Sequence, residues 1–134
     1  MTYVLDTTLV SALMRAEPKP SARLLQAAPD EVSIPQPVAG EVRYGLARLP
    51  SSRRRRELEE RFEILLRTLA RASWTDEVSR SFGRIKADLE RRGQPIGDFD
   101  AAIAAHALAV DGVVVTRNVR HFERIRGLDV EDWT

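Results

Sequence analysis

Cysteine is absent from this chain. That excludes a disulfide framework and any thiolate metal site, and it suits a reducing, cytoplasmic setting. Lysine is nearly absent: Lys19 and Lys86 stand beside nineteen arginines. Against 20 acidic residues the net charge is only +1, so total charge says little and the choice of arginine says more. A planar guanidinium makes bidentate contacts to phosphate or carboxylate. The enrichment reads either as a coding bias or as the mark of a phosphate-rich or acidic partner. No apolar run approaches the roughly 20 residues of a membrane span, and no membrane association is expected. No basic stretch precedes the first strand-like segment, so the start does not read as a signal peptide. Repeats, low-complexity tracts and dividing linkers are also missing, and residues 1–134 are expected to form a single domain around one core.

What is present alternates between strand and helix signals. Thr2 to Leu5 reads as a short buried strand, followed by a helix to about Met14 capped by Thr7 or Thr8. Pro18-Lys19-Pro20 is expected to break the chain before a short helix from Ala22 to Ala28. A second strand runs from Glu31 to Ile34, and Pro35 and Pro37 introduce a helix from about Val38 to Leu46. Leu58, Phe62, Leu65, Leu66 and Leu69 recur at helical spacing in a long helix that begins after Ser51-Ser52. Its Arg53-Arg54-Arg55-Arg56 run reads as a solvated face partly paired with Glu57, Glu59, Glu60 and Glu63, with an RNA or partner contact as the lesser reading. Ala72 to Trp74 is a short strand or a link. Helices are expected over Asp76–Arg92 and from Asp98 to about Val110, then an all-apolar strand at Val113–Thr116, a short helix from Val119 to Ile125 and a last strand at Leu128–Val130. This order predicts an α/β fold with a small parallel sheet.

Four acids far apart in sequence border apolar runs: Asp6 after the first strand, Glu41 in the helix after the second, and Asp98 and Asp100 at the start of an Ala-rich helix. Ligands of open parallel sheets bind beyond the carboxyl ends of the strands. All four acids, with Asn118 after the Val113–Thr116 strand, can reach that edge. A converging acidic pocket of this kind suits Mg²⁺ or Mn²⁺ and the hydrolysis of a phosphodiester. Each residue also has a plainer reading. Asp6 and Asp98 can be helix caps, Asp100 a first-turn acid favoured by the helix dipole, and Asn118 a turn residue. Thr7 and Thr116 either orient the carboxylates or cap helices. Arg117 and Arg120, close to the end of the Val113–Thr116 strand, either contact a phosphate-bearing substrate or are solvated. His106 is expected in the core or an interface, and His121 at the surface or in a structural role. No Ser-His-Asp or Cys-His set is evident. Phosphoryl transfer through Asp6 is disfavoured, because neither lysine follows a strand and no acid lies two residues after Asp6.

Leu5-Asp6-Thr7, Gly40-Glu41-Val42-Arg43-Tyr44-Gly45, Pro95-Ile96-Gly97-Asp98-Phe99-Asp100 and Val115-Thr116-Arg117-Asn118-Val119-Arg120-His121-Phe122 resemble PIN-domain proteins. More narrowly, they resemble VapC-type toxins of bacterial toxin–antitoxin pairs. The ending Gly127-Leu128-Asp129-Val130-Glu131-Asp132-Trp133 is similar too, so the resemblance spans the chain. It implies a three-layer α/β/α domain and a Mg²⁺- or Mn²⁺-dependent endoribonuclease acting on tRNA or other structured or translated RNA. It also implies a VapB-type antitoxin whose C-terminal segment covers the acidic groove, homodimers, and contact with operator DNA only through the antitoxin. Asp6, Glu41 and Asp100 match the family's acids, Asp98 falls where members vary, and Asn118 matches an Asp-or-Asn position. The chain departs from the pattern at Thr8, where Asn or Ser is usual. That departure favours a second reading, a catalytically weak module that only binds antitoxin and RNA.

Overall fold

The computed structural model describes residues 1–134. Its five strands are all parallel, in the order β3-β2-β1-β4-β5. They are β1 (Tyr3–Leu5), β2 (Val32–Pro35), β3 (Ala70–Ala72), β4 (Val113–Val115) and β5 (Asp129–Glu131). Every residue of β2 and β4 is buried. Successive strand residues point to opposite faces, so both faces of the sheet are covered and the architecture is three-layered. The chain steps from β1 outward to β2 and β3, then returns to the other side of β1 for β4 and β5. The order therefore reverses between β1 and β4, which is where a parallel sheet opens a crevice at its carboxyl edge.

Seven helices join the strands: α1 (Thr7–Met14), α2 (Pro18–Leu25), α3 (Gln36–Arg48), α4 (Arg53–Thr68), α5 (Asp76–Arg91), α6 (Asp98–Ala109) and α7 (Val119–Glu123). Most follow the sequence pattern, but three expectations need correction. The cap of α1 is Asp6, whose carboxylate accepts from the Leu9 N–H, and not Thr7 or Thr8, which lie within the first turn. Pro18-Lys19-Pro20 does not break the chain ahead of α2; it forms the helix's first turn. Proline is tolerated there because the first-turn N–H groups have no intrahelical partner and its φ is already helical. The third strand falls at Ala70–Ala72, earlier than Ala72–Trp74. It is an edge strand of three residues, with Arg71 exposed between two half-buried alanines, too short and too weakly apolar to stand out in the sequence. The arginine run opens α4 as expected, with Ser52 as N-cap, and Arg55 pairs with Glu59 at 2.6 Å.

Helix α6 is buried from Ala101 through His106 to Ala107. Its small side chains let α5 and the sheet pack closely against it, which is why it shows no polar face. Close approach also explains Gly112. A Cβ there would stand 2.8 Å from the carbonyl oxygen of Thr2, while the left-handed residue of the same turn is Asp111, with φ 52°. No helix is long and apolar enough to cross a membrane.

His106 is a core residue, 2% exposed, edge-on to Trp74 at a ring separation of 5.8 Å. Its Nε2 has no hydrogen-bond partner in the protein, and burial holds its pKa below the ordinary histidine value. The folded chain thus binds this proton less readily than the unfolded chain. The stability is present above about pH 6.5 and is lost as pH falls through the depressed value. His106→Leu is expected to remove that acid-side loss and to relieve a buried unpaired atom, a gain of roughly 1–3 kcal/mol. Urea unfolding on both sides of the window checks this. Parallel pH curves for the variant and the parent chain would refute it.

Candidate active site

The pairing register assembles the centre of the site. Leu5 lies opposite Val115, and the Asp6 N–H donates to the Val115 carbonyl at 3.0 Å, so Asp6 and Thr116 leave the sheet side by side. Asp6 is also the N-cap of α1, with Oδ1 accepting from the Leu9 N–H at 3.0 Å. The Thr8 hydroxyl donates to the same oxygen at 2.6 Å, and the Thr116 hydroxyl donates to Oδ2. The capping and ligand readings of Asp6 are therefore compatible. A carboxylate offers about four lone-pair positions. These three donors leave the fourth, on Oδ2, free.

Asp6 is 2% exposed, and no cation neutralises it. Burial is the main reason its pKa is raised; the donors from Thr116, Thr8 and Leu9 oppose the shift, and the nearby Asp100 charge adds to it. Asp100 comes from the first turn of α6, with its side chain 30% exposed, and His121 Nδ1 lies 3.3 Å from its Oδ2. Glu41, half-buried on α3, is tied to the same edge by the hydroxyl of Thr7, which donates to its Oε1. Thr7 and Thr116 thus orient carboxylates. Three carboxylates or histidines do not gather into one cluster able to hold an ion by themselves. What the fold brings together is Asp6 and Asp100, near enough for the Asp100 charge to add to the raised Asp6 pKa, with Glu41 joined to Thr7 on the same edge.

Other expected ligands sit differently. Asp98 is turned outward, 72% exposed, with Oδ1 2.6 Å from Lys86 Nζ on α5. It is not brought to the pair. Asn118 is exposed, and its N–H donates to the Thr116 hydroxyl at 2.8 Å, which places it at the rim. Arg117 is held by Glu17 at 2.6 Å, and its backbone N–H donates to Thr8 Oγ1 at 3.0 Å. Thr8 therefore bridges Asp6 and the loop after β4, so the departure from the Asn-or-Ser pattern still gives Asp6 a donor. Arg120 is exposed and has no ion pair. His121 is at the surface, as expected, but its contact with Asp100 is new. The two are 21 residues apart, and only the packing of α7 near the start of α6 joins them.

The raised pKa of Asp6 makes stability depend on pH. With divalent metal chelated, the folded chain holds the Asp6 proton more tightly than the unfolded chain does. Stability is greatest below the ordinary aspartate value near 3.8 and is lost as pH rises through the folded value. Asp6→Asn is therefore expected to melt above the parent chain at neutral pH in EDTA, with the difference vanishing toward acid pH. Thermal melts across pH decide it. A variant that melts below the parent throughout would show the carboxylate to be structural.

Comparison with known proteins places the chain in a family. The PIN domain family matches residues 3–128. Ribonuclease VapC1 of Haemophilus influenzae is 32% identical, over 100% of this chain and 99% of its own. The tRNA(fMet)-specific endonuclease VapC of Salmonella typhimurium is 30% identical, over 98% of this chain and 97% of its own. Among solved structures, VapBC2 from Rickettsia felis bound to a promoter DNA fragment superposes with a TM-score of 0.89 at 26% identity, covering 100% of both chains. DNA-bound VapBC from Salmonella typhimurium gives 0.88 at 28% identity, covering 100% of this chain and 99% of the other. The chain belongs to the PIN-domain family and, within it, to the VapC-type group whose named members are ribonucleases.

Proposed function

We propose that this chain is a Mg²⁺- or Mn²⁺-dependent endoribonuclease, the toxin of a toxin–antitoxin pair, and that it acts on tRNA. The observation that carries the reading is the buried Asp6 facing the charge of Asp100 at the β1–β4 crevice, with only neutral donors around it. Like charges so placed call for a cation. The donors are hard oxygens, and Asp6 keeps one lone-pair position free, so a hard divalent ion fits the set. Mg²⁺ retains several waters and takes one or two carboxylates plus a substrate phosphate, so a three-acid cage is not required.

Asp6 and Asp100 are the residues that would hold the ion, with Asn118 at the rim. The chemistry such an ion supplies, when bound, is activation of water for attack on phosphorus and stabilisation of the departing 3′ oxygen. The chain's own residues do the rest. Thr8, Thr116 and the Leu9 N–H fix the Asp6 carboxylate in one orientation. Thr7 occupies Oε1 of Glu41 and leaves Oε2 to take the proton of the attacking water.

The substrate class is supported by the Salmonella relative, which is named for tRNA(fMet). The inhibitory partner is a VapB-type antitoxin, supported by the structural neighbours, which are VapBC complexes. An apolar groove of about 270 Å³ runs from Leu49 and Leu58 past Leu46 and Met14 to Thr7 and Glu41, and it suits an antitoxin tail that ends at the acids. Operator DNA is contacted through the antitoxin, in keeping with the DNA-bound neighbours. Pairing of two copies is supported by the apolar surface that Trp74 and Phe99 leave uncovered, 45% and 51% exposed. Incubating antitoxin-free protein with total RNA in Mg²⁺, Mn²⁺ or EDTA and mapping new 5′ ends tests the reading. Discrete, metal-dependent cuts in tRNA are expected. Folded, metal-binding protein that cuts nothing would leave a module that only binds antitoxin and RNA.

A further inference from the structure

A cleft of about 530 Å³ opens beside the acid pair and carries the opposite charge. Arg117, Asn118, Arg120, His121, Arg124 and Asp132 line it. Two of its charges are already committed. Asp132 accepts from the Thr134 N–H at 2.8 Å and from the Thr134 hydroxyl at 2.6 Å, and Arg117 is paired with Glu17 at 2.6 Å. Arg120 and Arg124 pair with no carboxylate; Arg124 reaches only the Pro95 carbonyl, at 3.5 Å. Four residues apart across α7 and its C-cap, they lie on one side of a helical turn.

We propose that Arg120 and Arg124 form a subsite for one backbone phosphate of the RNA strand, next to the phosphate that is cleaved. The proposal rests on the ribonuclease reading of the acid pair. The cleft shares a border with that pair. His121 lines the cleft and stands 3.3 Å from Asp100, and Asn118 follows Thr116, which holds Asp6. A strand whose scissile phosphate lies at Asp6 and Asp100 therefore brings an adjoining phosphate onto α7. Guanidinium groups suit that phosphate because they donate in pairs to its oxygens and stay charged at every relevant pH. Arg117 does not belong to the subsite. Its charge is met by Glu17, and its backbone N–H fastens the loop to Thr8.

The test uses the full chain and a fluorescent single-stranded RNA. Binding is measured in EDTA across roughly 50–200 mM salt, and cleavage of the same RNA is measured in Mn²⁺. Arg120→Ala and the Arg120→Ala/Arg124→Ala double variant are compared with Arg53→Ala, in the α4 arginine run. Loss of one phosphate contact should lower the slope of log affinity against log salt by about 0.7. Arg120→Ala should weaken binding by about 10-fold and raise KM with kcat nearly unchanged. The double variant should lose more, Arg120→Lys should restore most of the salt slope, and Arg53→Ala should change nothing. Arg120 is exposed and unpaired, so its variant should melt with the parent. Unchanged affinity and slope in Arg120→Ala, or a slope carried by Arg53, would overturn the subsite. So would an acidic peptide that binds more tightly than RNA in an Arg120-dependent way, which would assign the cleft to a protein partner. A parent chain that cuts RNA with an Arg120-independent KM sinks the subsite alone. An Arg120-dependent salt slope in EDTA without cleavage in any metal upholds phosphate binding and sinks the ribonuclease reading.

Discussion

Asp100→Asn is expected to lower metal-dependent RNA cleavage by at least about 100-fold while leaving the chain folded. The substitution keeps the shape of the side chain and removes its charge, and that charge raises the pKa of the buried Asp6. Removing it relieves repulsion in the metal-free protein but takes away half of the acid pair that would hold the ion. Asp98→Asn is the informative companion. Asp98 stands two residues earlier on the same helix, yet it is 72% exposed and bonded to Lys86 at 2.6 Å. An exposed ion pair contributes at most about 1 kcal/mol, so Asp98→Asn should cleave within a few-fold of the parent. Initial rates in Mn²⁺ on one RNA, with 5′ ends mapped, separate the two acids. Equal loss from both would bring Asp98 back into the site. A silent Asp100→Asn would remove the basis for the acid pair.

The order of elements is legible in the sequence, and so are acids that border apolar runs, because each rests on local chemistry. An apolar run ending in Asp6, a helix opening on Asp98 and Asp100, and an all-valine strand are visible without knowledge of the packing. The errors arose where tertiary context decides. Pro18 and Pro20 look like breakers until α2 is seen to start on them. Ala70–Ala72 gives only a three-residue alternation of small side chains around Arg71, because an edge strand has little to bury. Within the site, the bonds that matter span long separations. Thr7 reaches Glu41 across 34 residues, Thr116 reaches Asp6 across 110, and Arg117 reaches Thr8 across 109. Asp98 read as a candidate ligand because spacing cannot show that Lys86, one helix earlier, lies within reach of it. His121 gave no signal at all, since its link to Asp100 exists only once α7 is placed near the start of α6.

That placement of α7 rests chiefly on the larger of two buried side chains, and Phe122→Ala is expected to destabilise the protein by roughly 3–5 kcal/mol. Phe122 is completely buried in the main core. The helix around it has five residues, and its N-cap Asn118 makes no side-chain capping bond. So short a helix cannot persist on its own hydrogen bonds; burial of Phe122 and Ile125 holds it to the sheet. Total stability of a domain is typically about 5–15 kcal/mol, so the loss is a large share and should lower the Tm by about 10 °C or more. Because Arg120, His121 and Arg124 ride on the same segment, the harm should appear first there. Amide exchange should quicken over Val119–Arg124 before it does in β1 or β4, and RNA affinity should fall at temperatures where the fold survives. Phe122→Leu keeps most of the volume and should cost less than about 1.5 kcal/mol, with the local amides still protected. If the alanine variant instead opened everywhere at once, α7 would be part of the global folding unit, and a change at Phe122 could not loosen the phosphate cleft without unfolding the acid pair as well.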